Sequence, residues 1–359
     1  TVITRLIQKQ DLSRSEARTA FARILKNEVT PMQQGAFLAA LTAKGETEEE
    51  VAAGWEAIYE LDTQKVAVSG RDPVVENSGT GMDTFKTFNI STAASVIAAG
   101  GGIRMARHGA RAITSVCGTV DMAEALGVDV ECSADLVAES IQRAGIGLFN
   151  GMSPNIHPMA LGRILSNISF GSTLNIAASL ANPALPKRAV RGVYNRRMLL
   201  PVARVMRAIG YQRAVVLYGT VDGTDKGMDE ASVSGTTWCA ELSENGRIST
   251  FDFRPADLDL ACHDAARLSP EKDIHEEARR FVSLLRNRQD PARTDAARLN
   301  AGLIFYVAGR AHSIRDGISR ATAALTDGSA FAAFENWVGA QNRQPQKGLA
   351  RLRRLAQLN

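Results

Sequence analysis

The chain has 359 residues, 45% of them apolar and 22% charged, which is enough for two domains with a substantial core. No apolar run approaches the roughly 20 residues of a membrane span, and the N-terminal "TVITRLIQKQ" lacks a signal-peptide core. The net charge of +4, from 42 basic and 38 acidic residues, is too small to argue for a nucleic-acid partner. Cys117, Cys132, Cys239 and Cys262 form no CxxC pair and read as reduced thiols of a cytoplasmic protein.

The first 62 residues read as helices. Ser13-x-x-Glu16 forms a capping box ahead of "EARTAFARILKN", whose Ala17, Phe21, Ile24 and Leu25 share one face. Thr30-Pro31-Met32-Gln33 supplies a cap hydroxyl, a proline for the first helical position and a glutamine three residues past the cap. Thr47-x-x-Glu50 opens a third helix, with Val51, Trp55 and Ile58 on its apolar side.

From about Pro73 the texture changes. "PVVEN" reads as a short buried strand, "STAASVIAAGG" as a helix capped by Ser91, "GIRMARHG" as a strand and loop, and "TVDMAEALG" as a helix capped by Thr119. "ALPKRAVRGVY", the helix "LLPVARVMRAIG" and the strand "RAVVLYG" continue the alternation. "TTWCAEL" and "GRISTFDF" flank "SENG" as a hairpin. Helices over "SPEKDIHEEARRFVSLLRN" and "DAARLNAGLIFYVAG" follow, and the last helix begins at Ser313. The alternation predicts an α/β domain with a largely parallel sheet, next to a small all-helical domain. The helical stretch 157–183 interrupts it and is expected to pack back on the N-terminal helices. The division expected is a helical domain over 1–70 joined by part of 157–185, an α/β domain over 71–345, and a basic C-terminal tail over 346–359. Two basic clusters, "PKRAVRGVYNRR" at 186–197 and "KGLARLRRLAQLN" at the end, read as solvated surface and tail.

Three stretches carry chemistry. In "GTGMDTFKTFNIST" (79–92) glycines follow a strand and a helix start comes soon after, a layout that lets backbone N–H groups approach an anion. The stretch matches neither GxxxxGK[ST] nor GxGxxG, and taken alone it reads first as a glycine turn with no ligand. In "RMARHGARAITS" (104–115), Arg107, His108 and Arg111 surround Gly109, with hydroxyls at Thr114 and Ser115, which suits a polyanionic leaving group or a plain exposed basic loop. In "DKGMDEAS" (225–232), Asp229 and Glu230 follow a glycine-rich turn, and magnesium prefers one or two carboxylates plus phosphate oxygens. Together the three describe one site for a phosphorylated substrate.

On these residues the chain resembles the anthranilate phosphoribosyltransferases along nearly its whole length. The family's GTGGD appears as Gly79-Thr80-Gly81-Met82-Asp83, its NIST as Asn89-Ile90-Ser91-Thr92 and its KHGNR as Arg107-His108-Gly109-Ala110-Arg111. The tract near SGSADVLEALG reads "CGTVDMAEALG", and GLDE reads Gly227-Met228-Asp229-Glu230. The resemblance implies a helical domain that often forms a homodimer interface, a larger α/β domain, and a cleft between them. In that cleft, phosphoribosyl pyrophosphate (PRPP) with Mg2+ gives its phosphoribosyl group to an aromatic amine and releases pyrophosphate. Carried over, Gly79, Thr80, Gly81, Asp83, Asn89, Ser91, Thr92, Arg107, Ser115 and Thr119 would hold PRPP. Ser91, Asp229 and Glu230 would hold metal, and Arg107, His108 and Arg111 would serve catalysis.

The departures fall on the acceptor side. The asparagine of KHGNR is Ala110, and in "FGSTLNIAASLANP" the arginine expected to grip the anthranilate carboxylate is replaced by Gly171, with Ala178-Ser179 at the usual Gly-Pro pair. Ala110, Asn150, Met152, His157 and Gly171 are the expected acceptor pocket, and Arg163 is a weak substitute cation. Losing a bidentate arginine contact costs about 2–5 kcal/mol. The expectation is therefore an aromatic acceptor other than anthranilate. True anthranilate transfer, a nucleoside phosphorylase, and a silent relative that binds nucleic acid or a partner protein are the alternatives.

Overall fold

The computed structural model describes residues 1–70, 72–111, 118–168 and 170–357. The chain opens with four helices, α1 (Val2–Ile7), α2 (Arg14–Leu25), α3 (Pro31–Lys44) and α4 (Glu48–Leu61). The capping boxes of Ser13 with Glu16, Thr30 with Gln33 and Thr47 with Glu50 all form, so each of these ends is fixed by its own side chains. α1 is too short to show a helical period in sequence.

The alternating region follows as β1 (Val74–Ser78), α5 (Ile90–Gly100), β2 (Arg104–Gly109), α6 (Thr119–Ala125), α7 (Ala134–Ala144) and β3 (Ile146–Asn150). After the short helices α8 (Leu161–Leu165) and α9 (Thr173–Ser179) come β4 (Arg188–Gly192), α10 (Leu199–Ala208), β5 (Arg213–Thr220), β6 (Gly227–Met228), β7 (Thr237–Leu242) and β8 (Ile248–Phe253). The chain ends in α11 (Ile274–Leu285), α12 (Pro291–Val307), α13 (Ile314–Thr326), α14 (Ser329–Ala340) and α15 (Pro345–Gln357).

The strands form one sheet in the order β3-β2-β1-β4-β5-β7-β8, with β6 paired to β5. β1 to β5 run parallel, and β6, β7 and β8 are antiparallel additions, which matches the expected parallel sheet with its terminal hairpin. From β1 the chain winds outward through β2 and β3, then returns to β4 on the other side. That reversal leaves a crevice beyond the carboxyl ends of β1 and β4, where ligands bind in such sheets.

One sheet face, with Val75, Met105, Val190 and Val215, packs on α5, α12 and α14. The other carries Ala189, Ala214 and Val216 against α10 and against Val51 and Ala52 of α4. The opposite side of α4, with Ala53, Ala57 and Ile58, belongs to the helical core instead. In that core Leu161 and Ile164 of α8 and Leu174 and Ala177 of α9 join Phe21, Phe37 and Leu41. Trp55 ties the two parts by donating its indole N–H to the Leu180 carbonyl at 2.9 Å.

Several expectations need correction. The helix after the glycine loop is capped at Asn89, not Ser91, which lies in its first turn; the next is preceded by Gly118, with Thr119 as its first residue. α7 and β3 add to the expected elements; Ser133 caps α7 and Gly145 ends it in the left-handed region (φ 76°). Ser313 does cap α13, but two further helices follow it. The terminal segment is no tail. Leu352 and Leu355 recur at helical spacing and are buried in the main core, while Arg353 and Arg354 face out. The cluster at 186–197 is not one solvated face either, because β4 alternates its side chains and buries Arg191.

Leu352→Ala is expected to destabilise the protein by about 2–4 kcal/mol, seen as a lower urea midpoint at unchanged slope. Arg353→Ala should move the midpoint by less than about 0.5 kcal/mol equivalent.

Candidate active site

The glycine turn leaves β1 at the crevice and meets the acids that follow β6. The Asp229 carboxylate accepts from the Gly81 N–H at 2.7 Å and from the Thr80 hydroxyl at 3.1 Å. A Cβ at Gly79 would come within 2.6 Å of the Asp229 carboxyl carbon, so only glycine allows this approach. Gly81 sits at φ 68°. The loop donors expected to cradle an anion thus face Asp229, and an arriving phosphate competes with that carboxylate for them.

Glu230, the next residue, is buried; its oxygens accept from the Ser91 and Thr87 hydroxyls, both at 3.4 Å. Asp83 completes an acidic cluster in which Asp83, Asp229 and Glu230 each offer an oxygen within 4.8 Å of the others. Among the described residues only Lys86 forms an ion pair with it, donating to Asp83 at 2.9 Å. Burial pushes the Glu230 carboxyl well above its usual range, and Asp229 and Asp83 add to the shift. Burial and Asp229 raise Asp83 to about 6. Three oxygen-bearing acids with one lysine among them form the donor set a hard divalent cation takes.

On β2, Arg107 is buried; it donates to the Asn77 carbonyl at 3.2 Å and to the Thr92 hydroxyl at 2.5 Å. Burial lowers it to about 10, while Glu76 and Glu230 hold it up, so it stays charged at neutral pH. Asn77 in turn donates to the Ser91 carbonyl and to Ser95, which links β1 to the first turn of α5. Asn89 sits at the cap of that helix.

His108 ends β2 with its Nε2 3.2 Å from Nε2 of His157, whose Nδ1 lies 2.6 Å from the Asp62 carbonyl. The Asp62 carboxylate accepts the backbone N–H groups of Met159, Ala160 and Leu161, anchoring the 157–165 stretch to the end of α4. Burial, with His157 and Arg191 nearby, pushes His108 down to about 3; burial also lowers His157. Both rings are neutral at physiological pH.

Other expected residues lie apart. Arg111 is exposed and pairs with Asp121, Glu124 and Glu131 rather than with the acid cluster. Thr119 packs beneath Gly109. Asn150 donates to Glu131 and accepts from the Met152 N–H, and Met152 itself is exposed. Ala110 offers no side-chain donor, and a side chain at Gly171 would meet no atom within 4 Å. Arg163 is held in the helical core by Gln34 and the Ile24 carbonyl, which removes it as a substitute cation. Ser115, and Thr114 beside it, lie outside the described residues. Sequence reading passed over Asp62, Asn77, Lys86, Thr87 and Arg191. Lys86 and Thr87 stand inside the quoted 79–92 stretch, and Arg191 was hidden in a basic cluster.

Sheet, bundle and crevice place the chain among the two-domain glycosyl transferases. The profile described as "Glycosyl transferase family, a/b domain" matches residues 71–331, and "Glycosyl transferase family, helical bundle domain" matches residues 1–61. An anthranilate phosphoribosyltransferase from Anaeromyxobacter dehalogenans is 36% identical over 340 residues, covering 94% of this chain and 97% of that protein. One from Brucella suis is 33% identical over 346 residues, covering 96% and 98%. The crystal structure of the Thermus thermophilus anthranilate phosphoribosyltransferase superposes with a TM-score of 0.85 at 29% identity, covering 94% and 98%. The Saccharomyces cerevisiae enzyme in complex with PRPP and Mg shares the fold, with a TM-score of 0.81 at 20% identity over 94% and 96%. The chain belongs to the anthranilate phosphoribosyltransferase family of these glycosyl transferases, and it is a phosphoribosyl-transferring enzyme. The relatives favour the anthranilate alternative over the expected change of acceptor, and nothing in them shows a different one. Among the described residues no helix is long and apolar enough to cross a membrane.

The depressed imidazoles give a pH signature. An unfolded histidine protonates near 6.5, whereas the folded His108 resists until about 3 and His157 is also lowered. The stability they allow is present above pH 6.5 and is lost as pH falls from there toward 3. Ring proton resonances of His108 should show no titration step between pH 5 and 8; a step near 6.5 would contradict the burial described.

Proposed function

We propose that the enzyme transfers the phosphoribosyl group of PRPP to an aromatic amine, with anthranilate as the acceptor, and releases pyrophosphate. The acidic cluster of Asp83, Asp229 and Glu230 against the Gly79–Gly81 turn carries this reading. The identity and coverage of the anthranilate phosphoribosyltransferase relatives support it. Asp229 and Glu230, with Asp83 and the Ser91 hydroxyl beside them, would hold Mg2+; their donor chemistry fits it. Bound magnesium supplies charge neutralisation of the leaving diphosphate.

The chain's own residues set the geometry. The N–H of Gly81 and the Thr80 hydroxyl, engaged by Asp229 here, would pass to the diphosphate as it displaces that carboxylate, and the start of α5 would add its positive dipole end. The acceptor nitrogen attacks C1′ as the bond from C1′ to the diphosphate oxygen breaks, and that oxygen keeps the electron pair. The amine nitrogen then gives its surplus proton to solvent or to the departing diphosphate. An aniline-type amine is a free base near neutral pH, so positioning outweighs general-base assistance. With His108 so hard to protonate, its part is to shape the acceptor wall with His157, not to carry the proton. A homodimer in the cytoplasm, the usual family arrangement, completes the reading.

A second reading keeps the donor half and changes the acceptor to a ring without a carboxylate. Gly171 and Ala110 favour it, since neither offers a cation or a donor.

Pyrophosphate release with PRPP and Mg2+ over a panel of aromatic amines and hydroxybenzoates separates the two. Turnover of anthranilate supports the first reading, turnover confined to uncharged rings the second, and silence across the panel rejects both. The double variant Asp229→Asn with Glu230→Gln should lose roughly 100-fold or more in kcat/KM; unchanged activity would remove the metal assignment.

A further inference from the structure

Arg191 stands out among the buried charges. It lies on β4 opposite Ser78 of β1, at the crevice end of both strands, and is nine-tenths or more buried. Its Nη1 donates to the Ser78 hydroxyl at 2.7 Å and, at 3.4 Å, to the Ser179 carbonyl; its Nη2 donates to the Ser179 hydroxyl at 2.6 Å. Those partners are all neutral. A guanidinium has five N–H donors, so three bonds leave part of its fork unengaged. No carboxylate among the described residues comes within ion-pairing distance of it. Glu76, the acid closest in field, has its two oxygens held by Asn182 at 3.3 Å and by Tyr211 at 2.6 Å.

A buried cation with no carboxylate at ion-pairing distance, only Glu76 in its field, is costly, and a functional site is one place where such a group is kept. The position says which anion. Ser78 immediately precedes the Gly79 turn, on the donor side. Ser179 ends α9, the helix that Gly171 precedes, and its carbonyl also contacts the His108 ring. Arg191 therefore stands between the donor turn and the acceptor wall. Its use as a cap for the carbonyls of α9 is a weaker explanation, because the Ser179 hydroxyl already donates to the Ile176 carbonyl at 2.7 Å and a cap needs no buried fork.

We infer that Arg191 is the specificity-determining cation of the acceptor site, receiving the carboxylate of an aromatic amino acid of the anthranilate class and taking over the task for which Gly171 has no side chain. The assignment rests on the function proposed above and deepens it. The planar fork of arginine matches a carboxylate with two parallel bonds. A carboxylate held there sets an ortho amine toward the turn where C1′ is presented.

The test compares anthranilate with 2-aminobenzamide, its uncharged counterpart, in the wild type and in Arg191→Gln and Arg191→Lys. Arg191→Gln should lose about 100-fold in kcat/KM for anthranilate, with 2-aminobenzamide and the KM for PRPP within about threefold of wild type. Arg191→Lys keeps the charge without the fork and should recover part of the loss. Equal losses for both acceptors, or no loss for anthranilate, would overturn the assignment. If the wild type turns over neither amine, the proposed function fails, and the assignment is read by calorimetry: wild type should bind anthranilate and Arg191→Gln should not, while failure of the wild type to bind it overturns the assignment. If Arg191→Gln does not fold, an anthranilate-to-aminobenzamide preference unchanged in Arg191→Lys overturns it as well.

Discussion

Carboxylates forced together without enough positive charge dominate this molecule. Asp83, Asp229 and Glu230 converge within 4.8 Å at the end of the sheet, and Lys86 offsets only part of their repulsion. Asp229 relieves some of it by accepting from the Gly81 N–H and the Thr80 hydroxyl, which shapes the glycine turn. Glu230 leans on the hydroxyls of Ser91 and Thr87, which fixes the start of α5. Arg107 reaches from β2 to Asn77 and Thr92 behind them. The donor half of the site is thus organised around a shortage of positive charge that a divalent ion, carried in with the diphosphate, would offset.

The acceptor half obeys a different rule. Its histidines are buried and neutral, its wall is bound to the helical part through Asp62, and under the assignment inferred above Arg191 brings the positive charge. Positive charge there and negative charge across the crevice give a small site two poles. A substrate carrying an anionic group at one end and a nucleophile at the other is oriented by such a field before any close contact forms.

How much of this the sequence disclosed follows from how local each determinant is. The three capping boxes involve residues three apart, and all three form. The glycine turn, the NIST element and the acid pair were legible because each is a contiguous string, and the fold brings them together as the resemblance implied. Asp62 was invisible because its partners lie about a hundred residues away, and Arg191 because a strand inside a basic run looks like surface until its register is known. Arg111 misled for the same reason in reverse: its neighbours in sequence suggested the site, while Asp121, Glu124 and Glu131 claim it. The terminal helix reads as a tail because its arginines are interleaved with the leucines that bury it.

α4 belongs to two cores at once, giving Ala53, Ala57 and Ile58 to the bundle and Val51 and Ala52 to the sheet. A helix shared in this way joins the two cores mechanically. A shift of the bundle against the sheet would therefore have to disturb both cores at once, which makes α4 the element that couples any opening of the cleft to its packing.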